Sequence, residues 1–284
     1  MTARPLRVVL VVAAALVASG ASAHDFVLWP DPGRRAEPGP VTLGLRVGDH
    51  LALGDERGYR ADRVARFAEL SAGGLRRLHP GRAGSEPPFA RVESLRPGGH
   101  WLVVDRVPID IELAADRFDA YLRHERLTAV RRERSRRGEA SRAGRERYSR
   151  HLKAFVQVGE APDGVGCRAV GQAFEVVPLH DAATLRAGHA LDVELRIDGS
   201  PAARHPLSAL TRAGGDVHEQ ALTTDERGRA RVRLGSPGRW VLRSVTMSRC
   251  EGCEGSEWRS RWTAMTVDVR PPGPPPVPCS DAPR

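Results

Sequence analysis

Short runs of alternating apolar and polar residues, cut apart by glycine and proline, restrict this chain's fold more than any other feature. "VTLGLRV" at 41–47 alternates strictly, and "HWLVVDRV" and "PIDIEL" follow at 100–113. Turn-forming "SAGGL" and "RPGGH" separate such runs, and "LKAFVQVG" at 152–159 repeats the pattern. In the second half, "FEVVPL" leads to "ALDVELRIDGSPA", where Leu191, Val193, Leu195 and Ile197 share one face before an Asp198-Gly199 turn. "ALTTDERGRARVRL" reads as strand, turn and strand, and "GRWVLRSVTM" and "RWTAMTVDV" complete the set. A period of two, repeated this often with regular turns, predicts an all-β protein of two β-sandwich units. The expected folds are immunoglobulin-like or prealbumin-like.

One segment breaks the pattern. Across "AADRFDAYLRHERLTAVRRERSRRGEASRAGRERYSR", Phe118, Tyr121, Leu122, Leu127 and Val130 fall at helical spacing, and an arginine–glutamate run follows. This predicts a helical insertion over about 115–147 in a first unit of 24–175. A second, immunoglobulin-like unit is expected over 176–270. The ending "RPPGPPPVPCSDAPR" cannot join a ladder, so 271–284 is expected to be a disordered tail.

Residues 1–23 read as a secretory signal: Arg4 and Arg7, then "VVLVVAAALVA", then the small-x-small Ala21-Ser22-Ala23. The expectation is a periplasmic protein with no membrane span, cut after Ala23. Removing the signal lowers the formal charge from +9 to +7. That surplus is almost all arginine, with Lys153 as the single lysine, a bias that genome composition explains without nucleic acid as a partner. Export and the even number of cysteines, Cys167, Cys250, Cys253 and Cys279, favour disulfides and leave three pairings open.

Cleavage after Ala23 would leave His24 as the first residue, and its chemistry is then unusual. The α-amine and ring Nδ1 of one terminal histidine can close a six-membered ring on a metal ion. The amine titrates near pH ~8, so a metal readily displaces its proton. Imidazole and amine nitrogens suit Ni(II), Cu(II), Co(II) and Zn(II). Further ligands must come from elsewhere: Asp25 is adjacent, and His50, His100, His124 and His151 are candidates. The predicted metal set is His24, Asp25, His151 and His100. Phe26 at the third position excludes the amino-terminal copper/nickel motif that needs histidine there.

Two other motifs stand out. "CEGC" at 250–253 reads as a small disulfide more readily than as a redox pair or metal clip. "GRERYSRHLK" at 144–153 crowds both signs of charge before a strand and holds the single lysine, which is either a wanted ammonium or a chance survivor. No nucleophile elbow, HExxH, phosphate loop or dinucleotide fingerprint occurs, so no reaction is indicated and the protein is expected not to be an enzyme.

Four pieces in order resemble a bacterial periplasmic family described as a nickel-uptake substrate-specific region. They are "AHDFVLWP", "GRERYSRHLKAFVQVG", "FEVVPLHDAATLRAGHALDVELRIDGSP", and "TTDERGRARVRLGSPGRWVLRSVTM" followed by "EWRSRWTAMTVDV". The resemblance implies an exported metal-binding accessory of nickel or cobalt uptake, working with a membrane importer or an outer-membrane receptor. It points to His24 and Asp25, to Arg145, Glu146, Arg147, Tyr148, Ser149 and Lys153, and to Trp258 and Trp262, the last two sets as architecture. Where the family often has His-Met, this chain has Thr246-Met247. Two other readings are a non-catalytic sandwich that binds a ligand or partner, and a copper enzyme built on the terminal histidine. Aromatics at 5% of residues argue against the flat substrate face the copper enzyme would need.

Overall fold

The computed structural model describes residues 24–80 and 86–279. The expected signal segment 1–23 and the last five residues of the expected tail lie outside them.

The sequence pattern of period two produces three layers. The middle layer is a nine-stranded sheet. Across it run Asp216–Thr223, Pro206–Ala213, Gly238–Arg249, Trp258–Val269, Gly144–Val158, Gly98–Leu113, Val64–Ser71 and Gly74–Arg77, with short Arg34–Arg35 also paired to Gly144–Val158. The protein is all-β, and strands of both predicted units share this sheet. They join where Trp258–Val269 runs parallel to Gly144–Val158. Alternation then sends successive side chains to opposite layers. Leu152, Ala154, Val156 and Val158 face an amino-terminal sheet of Asp25–Asp31, Gly39–Asp49, Ala52–Arg57 and Ala90–Leu95. Trp101, Val103, Phe155 and Met265 face a carboxy-terminal sheet of Phe174–Pro178, Ala190–Ile197, Ser200–Pro201 and Arg229–Arg233. Coverage on both sides explains why Arg150–Val158 is buried without a break.

The helical insertion is present as Ala115–His124 and Thr128–Arg136. Its predicted stripe, Phe118, Tyr121, Leu122, Leu127 and Val130, packs on Trp258, Trp262 and Val245, covering the part of the central sheet that the amino-terminal sheet leaves open. Tyr121 stacks on Trp262 at 5.7 Å between centroids. Both tryptophans are thus architectural.

Two expectations change. The runs at 100–107 and 108–113 form one strand, because Val107-Pro108 is a bulge: the register with Gly144–Val158 slips between Arg106 and Ile109. A bulge leaves a residue unpaired, so proline's missing N–H costs no ladder bond there. The tail is ordered as far as Cys279. It has no ladder of its own, but Cys279 is disulfide-bonded to Cys167. The Asp181 amide also donates to Val277 O at 2.8 Å, and the Val277 amide donates to Thr184 Oγ1 at 3.0 Å. Cys250 and Cys253 form the other disulfide.

Candidate functional site

The amino-terminal strand Asp25–Asp31 pairs antiparallel with Gly39–Asp49, placing Asp25 opposite Gly48. His24 therefore comes level with Asp49. Its Nδ1 lies 3.0 Å from Asp49 Oδ1, and the two side chains are 42% and 49% exposed, so both are open to a small ion. Immediately beyond Asp49 the chain reverses through His50 and Leu51, with Asp49 paired to Ala52. Both turn residues are left-handed, with φ of 46° and 58°. Two-residue hairpins of this hand normally use Asn-Gly, and an ordinary side chain there costs roughly 1–2 kcal/mol. Contacts hold the strained tip: His50 Nδ1 lies 3.0 Å from Glu219 Oε2, and its ring meets His124 edge-on at 4.9 Å. His124 Nε2 is 3.6 Å from Glu125 Oε1.

Asp25 is an anchor, not an accessible ligand. It is buried, with Oδ1 3.0 Å from Arg243 Nε, and Arg243 Nη1 donates to Glu125 Oε2 at 2.7 Å. Burial pushes the Asp25 carboxyl up to about 6 against the opposing pull of Arg243. This buried triad ties the first strand to the central sheet and to the end of helix Ala115–His124.

His100 and His151 do not join His24. Their strands place them on opposite faces of the central sheet, His100 with Leu102 and His151 with Lys153. His100 Nδ1 is 2.6 Å from Glu69 Oε1 and its Nε2 is 2.7 Å from Arg96 O. Both ring nitrogens are engaged with protein oxygens, so neither is open to a metal. His151 Nδ1 lies 2.9 Å from Asp105 Oδ1, which also accepts from Gln172 Nε2 at 2.7 Å. Arg66 Nε donates to Asp105 Oδ2 at 2.6 Å. Burial pushes the Asp105 carboxyl up, but His151, Arg66 and Gln172 hold it below its ordinary range. Of the predicted set His24, Asp25, His151 and His100, the structure brings no two together at one open site; His24 has Asp49 as its observed neighbour. Among the described residues no group of three or more His, Cys, Asp or Glu is placed to hold a metal ion.

The "GRERYSRHLK" segment is structural. Lys153 is 1% exposed, donates to Glu175 Oε1 at 2.6 Å and lies 4.5 Å from the Trp101 ring centroid. Glu175 also accepts from the amides of Val170, Gly171 and Gln172, so the ammonium completes a loop-closing cage. An arginine fork would not fit where one compact donor is enclosed. Glu146 is equally buried and accepts hydrogen bonds from the Tyr121 and Ser260 hydroxyls. Burial raises its carboxyl to about 7. Arg145 and Arg147 pair outward with Glu257 and Asp110.

Strand pairing and shared layers thus define an all-β layered sandwich with an exposed histidine–aspartate pair at the start of its first strand. The chain belongs to the family described as "Domain of unknown function (DUF4198)", whose model matches residues 21–248. That description carries no nickel or cobalt assignment. No curated protein matches the chain. Among solved structures the chain is similar to the "D0-D1 domain of Intimin", at 10% identity and a TM-score of 0.22, covering 87% of this chain and 97% of that one. A superposition that loose does not define a common fold. No helix among the described residues is long and apolar enough to cross a membrane.

Proposed function

We propose that the protein is an exported, non-catalytic metal-binding accessory of nickel or cobalt uptake, which takes the ion at the terminus created by cleavage after Ala23. The observation that carries this reading is the His24–Asp49 pair. Two ligands about 2.1 Å from one metal, at right angles, stand about 3.0 Å apart. The observed Nδ1···Oδ1 separation is 3.0 Å, so the two atoms need little movement to accept an ion between them. With the freed α-amine they make three donors, two nitrogens and one oxygen. The remaining positions stay open, which suits an ion that must be handed on to an importer or receptor. The resemblance in the four quoted segments supports the same cargo, and the small-x-small site at 21–23 supports export. The test is calorimetric titration of the processed protein with Ni(II) and Co(II). His24→Ala and Asp49→Ala are expected to weaken binding, while His100→Gln leaves it unchanged. Unweakened binding by Asp49→Ala would remove the pair from the site.

A further inference from the structure

A cleft of about 390 Å³ opens between the strand Ala52–Arg57, the turn Ala61–Arg63 and the bulge at Val107-Pro108. Arg57, Arg60, Arg63 and Arg106 line it together with Phe26 and Tyr148, and no acidic residue does. Its size is that of a small-molecule site.

Arginine is everywhere in this chain, so number alone means little. Elsewhere several arginines fork onto one carboxylate each: Arg147 onto Asp110, Arg231 onto Asp192 and Arg239 onto Asp268. In the cleft the balance fails. Arg57 pairs with Asp55 at 3.0 Å, and Arg60 and Arg63 share Asp62 at 2.7 and 3.3 Å. Four guanidiniums against these two carboxylates leave a surplus of two positive charges.

Arg106 makes no ion pair among the described residues. Its guanidinium lies 4.9 Å from the Phe26 ring centroid. Behind it Arg150, its cross-strand partner, lies 4.1 Å from the same ring and 5.2 Å from that of Tyr148. Arg150 is 5% exposed, likewise makes no ion pair among the described residues, and its Nε has no hydrogen-bond partner. Arg106 is half-buried and Arg150 buried, and adjacent guanidiniums drawn out of water without a paired carboxylate are costly. The bulge matters because it interrupts regular pairing just where Arg106 meets the cleft. Burial lowers the pKa of Arg106, and Arg63, Arg60 and Arg57 lower it further, a repulsion that a bound anion would relieve.

We propose that this cleft binds a small anion of charge two or more, gripped through carboxylate or phosphate oxygens by Arg57, Arg60, Arg63 and Arg106. Planar guanidinium forks match both oxyanion types, and Phe26 and Tyr148 line the same cleft. The cleft does not depend on the metal reading, although Phe26 lies only two residues from His24.

The test is calorimetric titration of metal-free processed protein with citrate and, separately, with pyrophosphate, at low and at physiological salt. Saturable one-to-one binding that weakens with salt is expected for at least one of them, and the tighter one identifies the oxyanion class. Arg106→Gln is expected to weaken it at least about tenfold, and Arg227→Gln, an exposed arginine elsewhere, to leave it unchanged. Should Arg106→Gln melt early, Arg63→Gln at the rim is read in its place. Failure of both anions to saturate overturns the proposal, as does equal weakening by Arg227→Gln. A chain with one residue added before His24 should keep anion binding even where metal binding is lost, so the two readings fail separately.

Discussion

Replacing Arg243 with methionine attacks the joint on which the amino-terminal strand hangs. Arg243, Asp25 and Glu125 are each within a few per cent of complete burial, and the guanidinium holds both carboxylates. Removing one partner of a buried ion pair costs about 3–5 kcal/mol, because the remaining charge stays dry and unmatched. For a chain of this size that is a melting shift of roughly 6–20 °C. The pH dependence gives the prediction its edge. Asp25 has a folded pKa of about 6, above its unfolded value of roughly 3.9. The folded state therefore keeps a proton that the unfolded chain releases, and stability falls as pH rises from about 4 to about 6. Arg243 is the strongest influence lowering that pKa, so the variant carries the loss further toward neutral pH. Urea melts followed by circular dichroism at about pH 5 and about pH 7.5 should show a clearly larger deficit at the higher pH. An equal deficit at both, or less than about 1 kcal/mol at the higher one, would mean the triad is solvated and anchors nothing.

Three further outcomes follow from the same burial and covalent constraints. Glu146→Gln should match the wild type at about pH 5 and exceed it by about 1–3 kcal/mol at about pH 8.5, because a carboxyl held up at about 7 loses stability on ionising and an amide does not. Superimposable pH–stability curves for the two proteins would contradict the burial of that charge. Cys279→Ser opens a disulfide whose cysteines lie 112 residues apart, which chain-entropy reasoning puts at about 4–5 kcal/mol. It should lower the melting temperature and release the tail to proteases, and unchanged melting would argue that the strap is held by its hydrogen bonds alone. Cleft binding of citrate or pyrophosphate, lost with Arg106→Gln, completes the set.

Much of the fold was legible because alternation is a local property. Leu191, Val193 and Leu195 share a buried face, and Phe118, Tyr121, Leu122, Leu127 and Val130 share another at helical spacing, as their periods require. Sharing of the central sheet was not legible, since the parallel pairing of Trp262 with Arg150 links residues 112 positions apart with no hairpin joining their strands. Pro108 read as a strand break because bulges have no composition of their own. The site was half legible. His24 announced itself through the cleavage motif, but its neighbour Asp49 is set by the register of the first two long strands. Asp25, His100 and His151 were plausible by residue type, and each instead satisfies a buried counter-charge. The single lysine was a true signal with a different meaning: Lys153 serves Glu175 inside the fold.

The most direct test of metal capture at the terminus is a Ni(II) titration of two chains, one beginning at His24 and one carrying a single extra residue before it. The extra residue moves the free amine away from the ring and destroys the chelate while leaving His24 and Asp49 in place. Saturable binding by the first chain, weakened at least about tenfold in the second, is the predicted result. Equal affinity for both would contradict it.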